Sequence, residues 1–109
     1  MRYSRERAFY RVEYPIQERP NLVIDGAELS VLDVSEYGIR FLTDAGFPIK
    51  IGDVLDGVLQ FRGRAEEAVE GEVVWIRAKT AALRLEVPVP FGTILSEQRY
   101  LRSRYRLIE

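Results

Sequence analysis

The chain contains no cysteine and no histidine. The first absence removes disulfides, thiolate zinc sites and a cysteine nucleophile; the second removes a Ser-His-Asp triad and most transition-metal sites. Any catalysis would rest on carboxylates, Lys or Tyr, so an enzyme is not expected, nor is a cofactor or a metal. No apolar run approaches the roughly 20 residues needed to span a bilayer. The start, Met1-Arg2-Tyr3-Ser4-Arg5-Glu6-Arg7, has no apolar stretch of the kind a signal peptide carries, so the expectation is a cytoplasmic protein with no membrane insertion.

Charge is nearly balanced, at −1, but it is segregated. Residues 1 to 19 hold five Arg against three Glu and residues 99 to 109 hold four Arg against one Glu, which leaves the middle at −6. A general DNA or RNA binder would present a basic total or a long basic stripe, so a small nucleic-acid-binding barrel is disfavoured while a local anion site is allowed. At 109 residues and 47% hydrophobic content the chain suits one domain with one core.

Residues 1 to 20 are polar and Arg-rich, with Pro15 and Pro20 breaking any long helix, and read as a flexible N-terminal arm. Leu22 to Val34 reads as a hairpin turning at Asp25-Gly26, because that pair supplies the positive φ values of a tight turn. Further short strands are expected at Ile39 to Thr43, Val54 to Phe61, Val69 to Arg77 and Thr80 to Val87, with Trp75 in the core and Glu66 and Glu67 in a loop. Six strands of this kind imply a mainly β fold, an antiparallel barrel over residues 21 to 88, closed so that no edge is exposed. Beyond Pro88 and Pro90 the period changes: Ile94, Leu101, Tyr105 and Ile108 give one apolar face of a helix over residues 91 to 108, with Thr93 as its N-cap.

The sharpest local signal is Asp33-Val34-Ser35-Glu36-Tyr37-Gly38. A string Asp-x-Ser-x-x-Gly should arise by chance only about 0.02 times in a chain of this length and composition. Upstream lie Arg7 and Arg11, a spacing that an Arg-rich chain produces by chance about once or twice and that Arg102 and Arg106 repeat. Asp33 and Ser35 on a strand point to one face, setting a carboxylate beside a hydroxyl. Guanidinium forks suit phosphate oxygens and the O6/N7 edge of guanine, while a carboxylate accepts from guanine N1–H and N2–H2. The Asp33-Val34-Ser35 run could instead be a local turn capping a strand end, a role that can coexist with binding, and the Arg pair taken alone a solvated arm.

Together, Arg7-Ala8-Phe9-Tyr10-Arg11 and Asp33 to Gly38 resemble the RxxxR and [D/N]xSxxG signature of PilZ domains, and Gly71 to Ile76 and Ala82 to Leu85 look like that family's later barrel strands. Many members carry a further Arg just before the first motif Arg; here that position is Glu6, with Arg5 one place earlier. The resemblance covers nearly the whole chain and implies a six-stranded split barrel with a closing C-terminal helix. It also implies a receptor for the bacterial second messenger cyclic di-GMP, bound by Arg7, Arg11, Asp33, Ser35 and Gly38, with Arg5, Arg40 and Tyr37 as additional candidates. Four or five charge-assisted hydrogen bonds of about 1.5 to 3 kcal/mol each, less ordering costs, suffice for roughly the −8 kcal/mol of a micromolar complex. The partner would be an unidentified downstream protein, and the chain a monomer or homodimer; the alternative is a nucleotide-independent adaptor of pilus or flagellar machinery.

Overall fold

The computed structural model describes residues 11–62 and 65–105. In chain order the elements are β1 (Arg11–Glu13), a 3-10 turn (Ile16–Glu18), β2 (Asn21–Ile24), β3 (Ala27–Ser35), β4 (Gly38–Leu42), β5 (Val54–Gln60), β6 (Glu66–Arg77), β7 (Thr80–Leu85) and α1 (Phe91–Tyr105). All strand pairings are antiparallel, and the order β3-β2-β5-β6-β7-β4 closes on itself through β3 and β4. The result is the expected six-stranded barrel. β1 is a seventh strand, added to β3 beyond the point where β2 ends.

The β2–β3 hairpin turns at Asp25 (φ 49°) and Gly26 (φ 83°), the two positive values that a two-residue turn matched to strand twist requires. Alternation then buries Leu22 and Ile24 from β2 with Leu29 and Val31 from β3. Ile39, Phe41, Leu59, Val73 and Leu83 complete the barrel interior, and Ile94 and Leu101 of α1 join the same core. Each such side chain contributes about 1.5 to 3 kcal/mol by leaving water.

Several expectations need correction. The reading of residues 1 to 20 as a flexible arm fails from Arg11 onward: there the backbone pairs with β3, and Val12 and Tyr14 enter the core. Residues 1 to 10 lie outside the described residues. Glu66 and Glu67 belong to β6, opposite Gln60 and Leu59, because β6 begins earlier than its apolar run suggests. Thr93 is not the N-cap; the helix already starts at Phe91, and the Thr93 hydroxyl donates to Glu67 Oε2 at 2.9 Å. On the buried face of α1, Glu97 sits between Ile94 and Leu101 and accepts a 2.8 Å hydrogen bond from the Tyr14 hydroxyl. Ile108 lies outside the described residues.

Two bulges set which side chains face outward. On β3 the register passes from Val31 opposite Phe41 to Asp33 opposite Arg40, so Leu32 is the extra residue. Without it, strict alternation from buried Val31 would send Asp33 into the core; with it, Asp33 shares the outer face of Arg40 and Val34 turns inward against Ile39. On β6 the register passes from Val73 opposite Leu83 to Trp75 opposite Ala82. Trp75 is therefore not a core residue, as its place in an apolar run suggests; the shift turns it onto the outer face, half-buried.

Candidate functional site

Asp33, at the end of β3, is 5% exposed although it faces outward. Its Oδ2 accepts from Arg40 Nε at 2.7 Å and lies 2.7 Å from Arg40 Nη2, and Arg11 Nη1 stands 4.0 Å from the same oxygen. Among the described residues the other oxygen, Oδ1, meets no hydrogen-bond donor. A buried carboxylate needs cationic or hydrogen-bonding partners, and here both strands flanking β3 supply them: β4 gives Arg40 and β1 gives Arg11. Pairing with Arg40 neutralises the acid while leaving one acceptor open.

Ser35 lies opposite Arg11 in the β1–β3 ladder, on the face that Asp33 shares. Its hydroxyl donates to the Gly38 carbonyl at 3.5 Å, a distance too long to hold it firmly. A Cβ on Gly38 would stand 3.3 Å from the Ser35 Oγ, so the missing side chain gives that hydroxyl its room. Tyr37, between them, is exposed.

These groups share one open hollow of about 370 Å³ lined by Arg11, Asp33, Ser35, Tyr37, Gly38 and Arg40, and continued across the sheet by Trp75, Ala82 and Arg84. Of the residues the sequence singles out, Arg11, Asp33, Ser35, Gly38, Arg40 and Tyr37 are thus brought together. Arg5 and Arg7 lie outside the described residues. Trp75 and Arg84 complete the lining without having been anticipated. The alternation of Ala82 and Arg84 against buried Leu83 and Leu85 carries a readable signal for Arg84; Trp75 is displaced by the bulge. The Arg77 guanidinium lies 4.5 Å from the Trp75 ring centre, and Arg84 Nη2 pairs with Glu72 Oε1 at 3.1 Å.

The hollow combines guanidinium groups, a carboxylate with a free oxygen, a loosely held hydroxyl and two aromatic rings. That set can hold a planar base by stacking and edge hydrogen bonds and a phosphate by charge. A larger hollow, about 630 Å³, lies at the end of the barrel near Asp44, Phe47 and Lys79. It contains none of the motif residues, and its charges are not convergent on a buried group. Among the described residues no cluster of carboxylates is arranged to hold a metal ion, and no helix is long and apolar enough to cross a membrane.

A family model described as "PilZ domain" matches residues 5–102, and the chain belongs to that family. No curated protein matches it. Among solved structures it is similar to the Legionella uncharacterized protein Lpg0364, with a TM-score of 0.64 and 15% identity over 91% of this chain and 100% of that one. It is also similar to the Bacillus subtilis inhibitor of motility MotI/DgrA, with a TM-score of 0.59 and 12% identity. That match takes in 100% of this chain and 55% of the Bacillus protein, so this chain corresponds to about half of it. Likeness at such identities establishes the barrel and no more.

Proposed function

We propose that the chain is a receptor for cyclic di-GMP, a binding domain rather than an enzyme, acting in the bacterial cytoplasm on a downstream protein. The observation that carries this reading is the convergence of Arg11, Asp33, Ser35 and Gly38 on one hollow beside Arg40. A guanine entering there meets Asp33 Oδ1 as acceptor for its N1–H and N2–H2, while Ser35 gives up its long contact to Gly38 for the ligand. Arg11 serves a phosphate or the O6/N7 edge, and Arg7 joins it on the strength of the motif resemblance. In this reading ligand orders the segment before Arg11 against the barrel and so changes the surface offered to the partner.

Calorimetric titration with cyclic di-GMP tests it. Wild type is expected to bind in the micromolar range or tighter, and Asp33→Ala and Arg11→Ala each to weaken binding at least tenfold. A wild-type protein that ignores the nucleotide yet still captures a pilus or flagellar component would instead favour the adaptor reading.

A further inference from the structure

β1 separates two hollows. On one side is the Asp33 hollow just described; on the other is a groove of about 300 Å³ between β1 and α1, walled by Val12, Pro15, Leu101 and the Tyr105 ring. Arg11 lines both. The Tyr105 hydroxyl donates to Glu18 Oε2 at 2.9 Å, which fixes its ring as a wall. At the rim stand Glu13 and Arg102, both exposed. Among the described residues neither makes a side-chain hydrogen bond or ion pair. An acceptor and a donor fork, both uncommitted, thus border an apolar slot that is continuous with the proposed nucleotide site through Arg11.

We infer that this groove is a second guanine subsite, resting on the proposed nucleotide-binding reading and extending it. The chemistry favours a base over a phosphate. The apolar walls suit a flat ring, and the Glu13 carboxylate at the rim disfavours an anion beside it while welcoming the N1–H and N2–H2 donors of guanine. Glu13 accepts from those donors, and the Arg102 guanidinium reaches O6 and N7 as a fork. The phosphate attached to that base is left at Arg11, on the ridge between the two hollows. Each volume is at or near the lower end of the range for small-molecule sites, about 300 to 1,000 Å³, as suits one nucleotide half apiece.

The guanine can come from the second half of one cyclic di-GMP or from a second ligand molecule, and titration separates the two. Calorimetry on wild type, Arg102→Ala and Glu13→Gln is read alongside emission from Trp75, the single tryptophan, which reports the Asp33 hollow. Both substituted side chains are exposed, so the variants fold. Arg102→Ala is expected to weaken affinity about tenfold while the Trp75 response at saturation persists. A molar ratio that stays at one assigns the groove to the same ligand; a ratio that falls from two to one assigns it to a second copy. Affinity and ratio unchanged in both variants, with Asp33→Ala binding lost, overturn the groove and leave the first site standing. Wild type that binds no nucleotide overturns both.

Discussion

Arg40 on β4 and Asp33 on β3 face each other across a bulged register, and two guanidinium nitrogens of Arg40 lie 2.7 Å from a single oxygen of Asp33. The pair is one-sided: the acid is nearly buried and Arg40 is a third exposed. Arg40 therefore contributes by giving a nearly buried carboxylate its ion-pair partner and holding it correctly turned. Arg40→Ala is expected to cost about 1 kcal/mol of stability, discounted for its exposure, and to weaken cyclic di-GMP binding by about tenfold. Chemical denaturation and calorimetry on the same variant check the two effects.

Gly38 and Gly57 separate binding from folding. A Cβ on Gly38 meets only the Ser35 hydroxyl closely, a group that can rotate away. Gly38→Ala should stay within about 1 kcal/mol of wild-type stability and lose nucleotide affinity through the displaced Ser35. At Gly57 the added carbon would collide with the Val23 carbonyl in the neighbouring strand, where only backbone movement gives relief. Gly57→Ala is expected to destabilise by about 2 kcal/mol or more, visible as a lowered thermal midpoint.

Glu18 predicts an acid-sensitive latch between the 3-10 turn and the end of α1. Its carboxylate accepts from Tyr100 at 3.1 Å, from Tyr105 at 2.9 Å and from Arg104 Nε at 2.9 Å. Burial raises its pKa, but the Tyr105 and Tyr100 hydroxyls and the Arg104 charge together outweigh it and leave the group below its ordinary 4.5. A depressed folded pKa means stability that is present above about pH 4.5 and lost as pH falls through the lower folded value. Thermal midpoints from pH 7 down to pH 3 should fall less steeply for Glu18→Gln than for wild type, with the variant less stable at pH 7.

The Tyr14–Glu97 hydrogen bond, buried at both ends, fastens the segment after β1 to the middle of α1. Tyr14→Phe removes the donor and leaves the acid in place. The expected cost is about 1 to 3 kcal/mol, measured by urea unfolding.

What could be read from the sequence is what short-range rules encode. Asp25-Gly26 announces its hairpin because few other pairs tolerate two positive φ values. Alternation marks β4, β5 and β7, and the change of period after Pro90 marks α1. The motif Asp33 to Gly38 was legible as a unit, and the family membership followed. The bulges at Leu32 and Val74 were not, since an extra strand residue has no signature of its own; one of them misplaced Trp75. Glu18 and Glu97 carry no sign of burial in the sequence, because the tyrosines that satisfy them lie more than 80 residues away. Arg40 drew attention only as a secondary candidate because its partnership with Asp33 depends on strand register. β1 was hidden in an arm by its neighbours Pro15 and Pro20.

The most direct test is to follow the backbone amide signals of the isotope-labelled chain during titration with cyclic di-GMP. The largest shifts should fall on Arg11, Asp33, Ser35, Gly38 and Arg40, together with the indole N–H of Trp75. Shifts confined to the hollow around Asp44, Phe47 and Lys79, or none at saturating nucleotide, would contradict the assignment.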